Sequence, residues 1–251
     1  MTFQTSSTPS QYVLARFIRK RWDNIEQNEE KQGTQSPLSC LWFDTRSIFG
    51  RTVILVRVAA SILRRPNKSI HVLYIYDRPG RHEFMESLPD PVYLIHQYLK
   101  SRAEDGMVDD NMENTVTLES SSNNTHTIGL TWKETGVRSA CTFMQFSDVT
   151  SRCLGKLKPD LVLMDEPKLA PTSIFKHIMD TEWNSKCRLC VGISTTNSKT
   201  DKSHALVLRF DEAIAKCAKS TKPPISNKLF YVYEEEPDRW EIQEEENAYD
   251  G

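Results

Sequence analysis

With 251 residues and an apolar share of 38%, the chain is long enough for one large α/β domain or two small ones, yet less apolar than an average globular protein. No apolar run reaches membrane-spanning length, and the opening MTFQTSSTPSQ lacks the basic and then apolar pattern of a secretory signal, so a soluble intracellular protein is expected and a membrane partner is not. The net charge of −2 conceals an uneven spread: residues 234–251, EEEPDRWEIQEEENAYDG, hold nine acidic residues and one basic one, leaving the other 233 at about +6. Such a tail is expected to be solvated and disordered, and the mildly basic body is compatible with a polyanionic partner.

Residues 1–11 read as disordered. From Tyr12 to Trp22, apolar Val13, Leu14, Phe17 and Ile18 recur at helical spacing among Arg16, Arg19, Lys20 and Arg21, which predicts a short amphipathic helix. Its basic face suits nucleic acid or simple solvation. The polar stretch 24–37 reads as a linker. The organised part begins near Pro37 with the short strand SCLWF, a loop, and the buried-helix pattern TVILVRVAASIL. SIHVLYIY (69–76) predicts a strand, DRPG a turn, VYLIHQYLKSR (92–102) a helix and EDGMVDDNMEN an acidic loop. TIGLTW (127–132) and VRSACTFMQF (137–146), joined by KETG, form a predicted β-hairpin. Strand DLVLMDEP (160–167), a helix over 171–179, strand RLCVGIS (188–194), the run ALVLRFDEAIAKCAKS and strand KLFYVYE (228–234) follow. Alternating strands and helices around one hairpin insertion predict an α/β fold with a mostly parallel central sheet and helices on both faces.

Three strand ends carry the chemistry. In LWFDTRSIFGRTV (41–53) an apolar pair leads through a polar loop to Gly50-Arg51-Thr52 and a long apolar helix. A phosphate-binding loop has this layout but ends in Gly-Lys-Thr or Gly-Lys-Ser; a plain strand, turn and helix has it too. In LVLMDEP (161–167) four apolar residues end in Asp165 and Glu166, at the carboxyl end of a predicted strand, where open α/β sheets bind ligands. Nucleoside triphosphate hydrolysis needs one carboxylate near the metal ion and another to orient the attacking water, roles that suit Asp165 and Glu166 in turn; solvation alone also explains such a strand end. Strand 188–194 ends in Ser194-Thr195-Thr196-Asn197, small polar groups able to meet a γ-phosphate or to cap a helix. Cys187-Arg188-Leu189-Cys190 is a lone pair of cysteines, read as core thiols in preference to zinc ligands. None of the six histidines is paired at ligand spacing, and all are read as structural.

In order and wording, residues 38–216 resemble the ATPase domain of herpesvirus-type large terminases, the motor subunit that drives DNA into a capsid. CLWFDTRSIFGRTVILVRVAASIL is similar to the family's loop, Gly-Lys-Thr and apolar helix; TIGLTWKETGVRSACTFMQF to its hairpin; LVLMDEP to its acidic strand; GISTTNSKT to its Ser/Thr-rich coupling motif with asparagine. The resemblance implies a P-loop NTPase-like fold binding ATP and Mg2+ and coupled to double-stranded DNA. Glu166 and Arg51 would be catalytic. Arg46, Ser47, Gly50, Arg51, Thr52, Ser194, Thr195 and Asn197 would contact nucleotide, and Thr52 with Asp165 would hold the metal. Other terminase subunits, a capsid portal and a homo-oligomeric ring are the implied partners, and the host nucleus the implied location.

Three departures stand out. Arg51 is planar and bulkier than the usual lysine. The loop arginine has no clean counterpart beyond Arg46. Pro167 follows the acidic pair and forces an early turn. The family's nuclease domain has no counterpart in the residues after 216, so nuclease activity is not expected. The chain divides into a basic helix and polar linker (1–37), an ATPase-like domain (38–233) and an acidic tail (234–251). A packaging ATPase, a hydrolysis-defective pseudo-ATPase in a packaging complex, and an unrelated helicase-like fragment are the competing readings.

Overall fold

The computed structural model describes residues 9–33, 38–45, 50–77, 90–100, 114–120, 126–167, 170–178, 187–195, 228–236 and 239–246. In chain order these form α1 (Pro9–Gln32), β1 (Ser39–Thr45), α2 (Arg51–Leu63), β2 (His71–Tyr76), α3 (Pro91–Lys100), β3 (Asn114–Ser120), β4 (His126–Trp132), β5 (Arg138–Gln145), α4 (Ser151–Leu157), β6 (Leu161–Asp165), α5 (Thr172–Ile178), β7 (Leu189–Thr195), β8 (Lys228–Glu236) and β9 (Arg239–Glu246). The strands make one nine-stranded sheet in the order β3-β4-β5-β2-β6-β7-β1-β8-β9. The six from β5 to β8 pair in parallel, and antiparallel pairs occupy the two margins.

Period-two alternation sorts the strand side chains onto two faces. Leu41, Phe43, Val72, Tyr74, Leu161, Leu163, Val191 and Ile193 join the cores of α1, α2 and α3 on one face. Cys40, Leu73, Ile75, Val162, Met164 and Cys190 join residues of α4 and α5 on the other. The α/β expectation of a mostly parallel sheet with helices on both faces and a hairpin is therefore met. The hairpin is β4–β5, turned through Gly136, whose φ of +65° favours a residue without a side chain and whose N–H donates to the Trp132 carbonyl. A third antiparallel strand, β3, extends it, and residues 151–157 form a short helix between the hairpin and β6.

Two expectations need correction. The amino-terminal helix is not a short element followed by a polar linker: it runs for 24 residues, and Leu14, Ile18, Trp22 and Ile25 are buried against α2 and the sheet. Glu, Gln and Lys in 24–32 are good helix formers, and the acids there find distant cations. Glu26, 4% exposed, pairs with Arg65, with Lys68 at 3.6 Å and with Arg188 at 3.9 Å, while Glu29 meets Arg188 at 3.0 Å. The helix stops at Gly33, in the left-handed region at φ +64°, where the Gly33 N–H closes on the Glu29 carbonyl. The acidic end, expected to be disordered, supplies β9, antiparallel to β8. Trp240 and Ile242 alternate there with Glu241 and Gln243, a strand pattern that the charge obscured. The run 205–220 lies outside the described residues.

Register fixes what lies level at the carboxyl end of the sheet. Asp165 is opposite Ile193, which is opposite Phe43; Asp44 and Ser194 follow as the next pair. The chain leaves β1 toward β2 on one side and reaches β8 on the other, so the strand order reverses at β1. Open α/β sheets bind ligands in the crevice beyond such a reversal.

Candidate functional site

Helix α2 starts beside this crevice. Buried Gly50 is its N-cap and contributes no side-chain hydrogen bond, and its carbonyl accepts the first helical bond, from Ile54 N–H at 3.0 Å. The next two residues project from the first turn toward the end of β6. The Thr52 hydroxyl donates to Asp165 Oδ2 at 2.6 Å. Arg51 Nε donates to Asp165 Oδ1 at 2.8 Å, and Arg51 Nη1 lies 2.7 Å from Glu166 Oε2. The guanidinium therefore spans both carboxylates, each through a separate nitrogen.

The trio is largely removed from water: the side chains of Arg51, Asp165 and Glu166 are 16%, 10% and 13% exposed. Charges this close and this poorly hydrated are weakly screened by salt. From beneath, Tyr74 of β2 gives Asp165 a further donor, its hydroxyl 3.1 Å from Oδ2. Burial, and then the negative charge of Asp165, hold the Tyr74 phenol well above its ordinary pKa of 10, so it stays protonated and donating. Asp165 thus accepts from Arg51, Thr52 and Tyr74, and these donors pin its orientation.

Glu166 leaves the strand in the left-handed region at φ +59°, while its N–H donates to the Ile193 carbonyl at 3.0 Å. For a residue with a side chain this conformation costs about 1 kcal/mol or more, and such outliers cluster at functional sites. Pro167 follows, and its carbonyl accepts from Ala170 N–H at 3.0 Å, the early turn that the proline predicts.

Of the residues singled out from sequence, Gly50, Arg51, Thr52, Asp165 and Glu166 come together here. Ser194 is fully buried at the end of β7, next to Asp44 of β1 in register. Thr195 closes β7, and Arg46, Ser47 and Asn197 lie outside the described residues. Tyr74 escaped the sequence reading; the alternation of SIHVLYIY puts it on the face of Val72 and Tyr76, the signal that could have found it. Cys187 and Cys190 are buried, as expected of core thiols. The oxygen atoms of Thr52, Asp165 and Glu166 are a donor set that suits a hard divalent cation.

No protein-family model matches the chain, and no curated protein matches it. Among solved structures, the large terminase from a thermophilic bacteriophage aligns with a TM-score of 0.47 and 10% sequence identity, over 77% of this chain and 39% of that one.

Proposed function

We propose that the chain is a terminase-like ATPase subunit that binds ATP with Mg2+ and powers packaging of viral double-stranded DNA into capsids. One observation carries the nucleotide reading: Arg51 and Thr52, at the start of α2, meet Asp165 and Glu166, at the end of β6, beyond a reversal of strand order. Thr52 and Asp165 would hold the metal ion, which when bound neutralises phosphate charge. Arg51 and the first amides of α2 would take the phosphates. Glu166 would orient the attacking water and accept its proton. Ser194, Thr195 and Asn197 would sense the γ-phosphate, and Arg46 and Ser47 would line the loop. The DNA, the portal, the other terminase subunits, a ring of copies and a location in the host nucleus rest on the sequence resemblance.

A second reading, a pseudo-ATPase with a structural role, is favoured by one feature: Arg51 is engaged by both carboxylates. Phosphate release by the purified chain, with and without duplex DNA, separates the two. The ATPase reading expects release that depends on Mg2+ and rises with DNA. Nucleotide binding with no release at any DNA concentration would leave the pseudo-ATPase.

A further inference from the structure

The Arg51 guanidinium already occupies the position of a counter-ion between the two acids. From this we infer that Arg51 is a latch that makes divalent cation and nucleotide phosphate bind as an obligate pair, each weakly alone. The inference rests on reading Asp165 and Glu166 as the metal-and-water pair of the proposed site.

The argument is one of charge and geometry. A lysine ammonium is a point charge on a flexible stem, whereas the planar guanidinium presents separate N–H groups in a fixed fork. Here Nε serves Asp165 at 2.8 Å and Nη1 serves Glu166 at 2.7 Å, so one cation holds two carboxylates of adjacent residues in a nearly dry site. The trio carries a net charge of −1 in terms of its side chains. A divalent cation entering alone would meet the guanidinium at close range and turn the balance positive. A phosphate arriving alone could draw Arg51 away only by leaving Asp165 and Glu166 side by side with no cation between them, a costly arrangement for poorly hydrated like charges.

With both ligands present the exchange would balance: Asp165 would hold the metal ion and Arg51 the phosphate. The free energy that each ligand supplies toward opening the latch is spared to the other, which is positive coupling and must be reciprocal. Release of Glu166 from Arg51 also frees the side chain assigned to the water, so the acid becomes available only when both ligands are present.

The test uses Mn2+ as the probe, without nucleotide, followed by the loss of its free-ion electron paramagnetic resonance signal on titration with full-length protein. Arg51→Ala is expected to bind Mn2+ about 10-fold more tightly than the wild type, within the ordinary range of coupling between sites. Arg51→Lys, which keeps the charge but cannot span both acids, should fall between them. A non-hydrolysable ATP analogue should tighten Mn2+ binding in the wild type far more than in Arg51→Ala. If Arg51→Ala loses its helical circular dichroism, Arg51→Lys decides alone. Mn2+ binding to the folded variant that is no tighter than to the wild type overturns the latch. Gain of Mn2+ binding without any effect of nucleotide would keep the clasp of the acids and refute the nucleotide reading instead.

Discussion

The Thr52 hydroxyl donates to Asp165 at 2.6 Å across 113 sequence positions, although the strand before Thr52 and the strand that ends in Asp165 are not neighbours in the sheet. Strand β7 lies between them, and α2 reaches over it. Thr52→Ala removes a hydrogen bond to a charged group, worth about 1.5–3 kcal/mol of stability, and with it a hydroxyl proposed to hold the metal ion. Affinity for ATP in the presence of Mg2+, measured calorimetrically, is expected to fall by roughly 10-fold or more. Thr52→Ser should restore most of it.

Glu166→Gln keeps the size of the side chain but removes the carboxylate proposed as the base. Turnover is expected to fall by about 100-fold or more, the ordinary scale for loss of a positioned general base, while nucleotide binding persists. Unchanged phosphate release in this variant would remove Glu166 from the chemistry.

Tyr74→Phe deletes the donor beneath Asp165. Denaturant unfolding is expected to show a loss of about 1–2 kcal/mol, because a nearly buried carboxylate loses one of its partners. The variant also carries a pH signature. The folded-state pKa of Tyr74 is raised above the unfolded value of 10, so its contribution is complete below pH 10 and declines as pH rises through the folded value. Above pH 10 the unfolded chain binds fewer protons than the folded one, and stability falls. Wild-type protein should lose stability more steeply there than Tyr74→Phe; equal slopes would show that the phenol does not remain protonated in the fold.

The amino-terminal helix offers a test of integration. Trp22 is fully buried, and the Arg188 guanidinium lies 5.8 Å from its ring centroid. Trp22→Ala should cost about 3–5 kcal/mol. Glu26→Ala removes the buried acid that Arg65, Lys68 and Arg188 share, but Asp23, Glu30 and Glu29 still pair with those cations in turn, so it should cost less, about 1–3 kcal/mol. Both are read from the midpoint of thermal unfolding, and a midpoint unmoved in both would mean that α1 is dispensable.

What could be read in the sequence was whatever depends on neighbours in the chain. Val72 to Tyr76 and Leu161 to Met164 are apolar runs long enough to declare buried strands, and Gly50-Arg51-Thr52 before an apolar helix declares a strand-to-helix turn. What escaped depends on residues far away. The polar segment 24–32 looks like a linker until Arg65, Lys68 and Arg188 are brought against it. The Ser151–Leu157 helix is the exception: its cap is local, the Thr150 side chain accepting from Cys153 N–H, and Gly155, a poor helix former, is what hides it. Arg51 could be named as a departure from lysine, but its grip on both acids follows from the fold, which carries β6 to within reach of α2. Tyr74 needed the same information, because a core tyrosine and a supporting donor look alike in one dimension.

The interposed strand β7 has a mechanical consequence. With neighbouring strands about 4.8 Å apart, β1 and β6 are held roughly 9–10 Å from each other, and β7 alone sets that gauge. Its middle residue, Gly192, faces Trp42 on one side and Met164 on the other in register, so no bulky side chain of its own stands in the layer between them. The β3–β5 block, by contrast, sits beyond β2 at one margin and takes no part in setting that gauge. The spacing of the two strand ends that lead to Thr52 and to Asp165 is thus a property of three central strands alone.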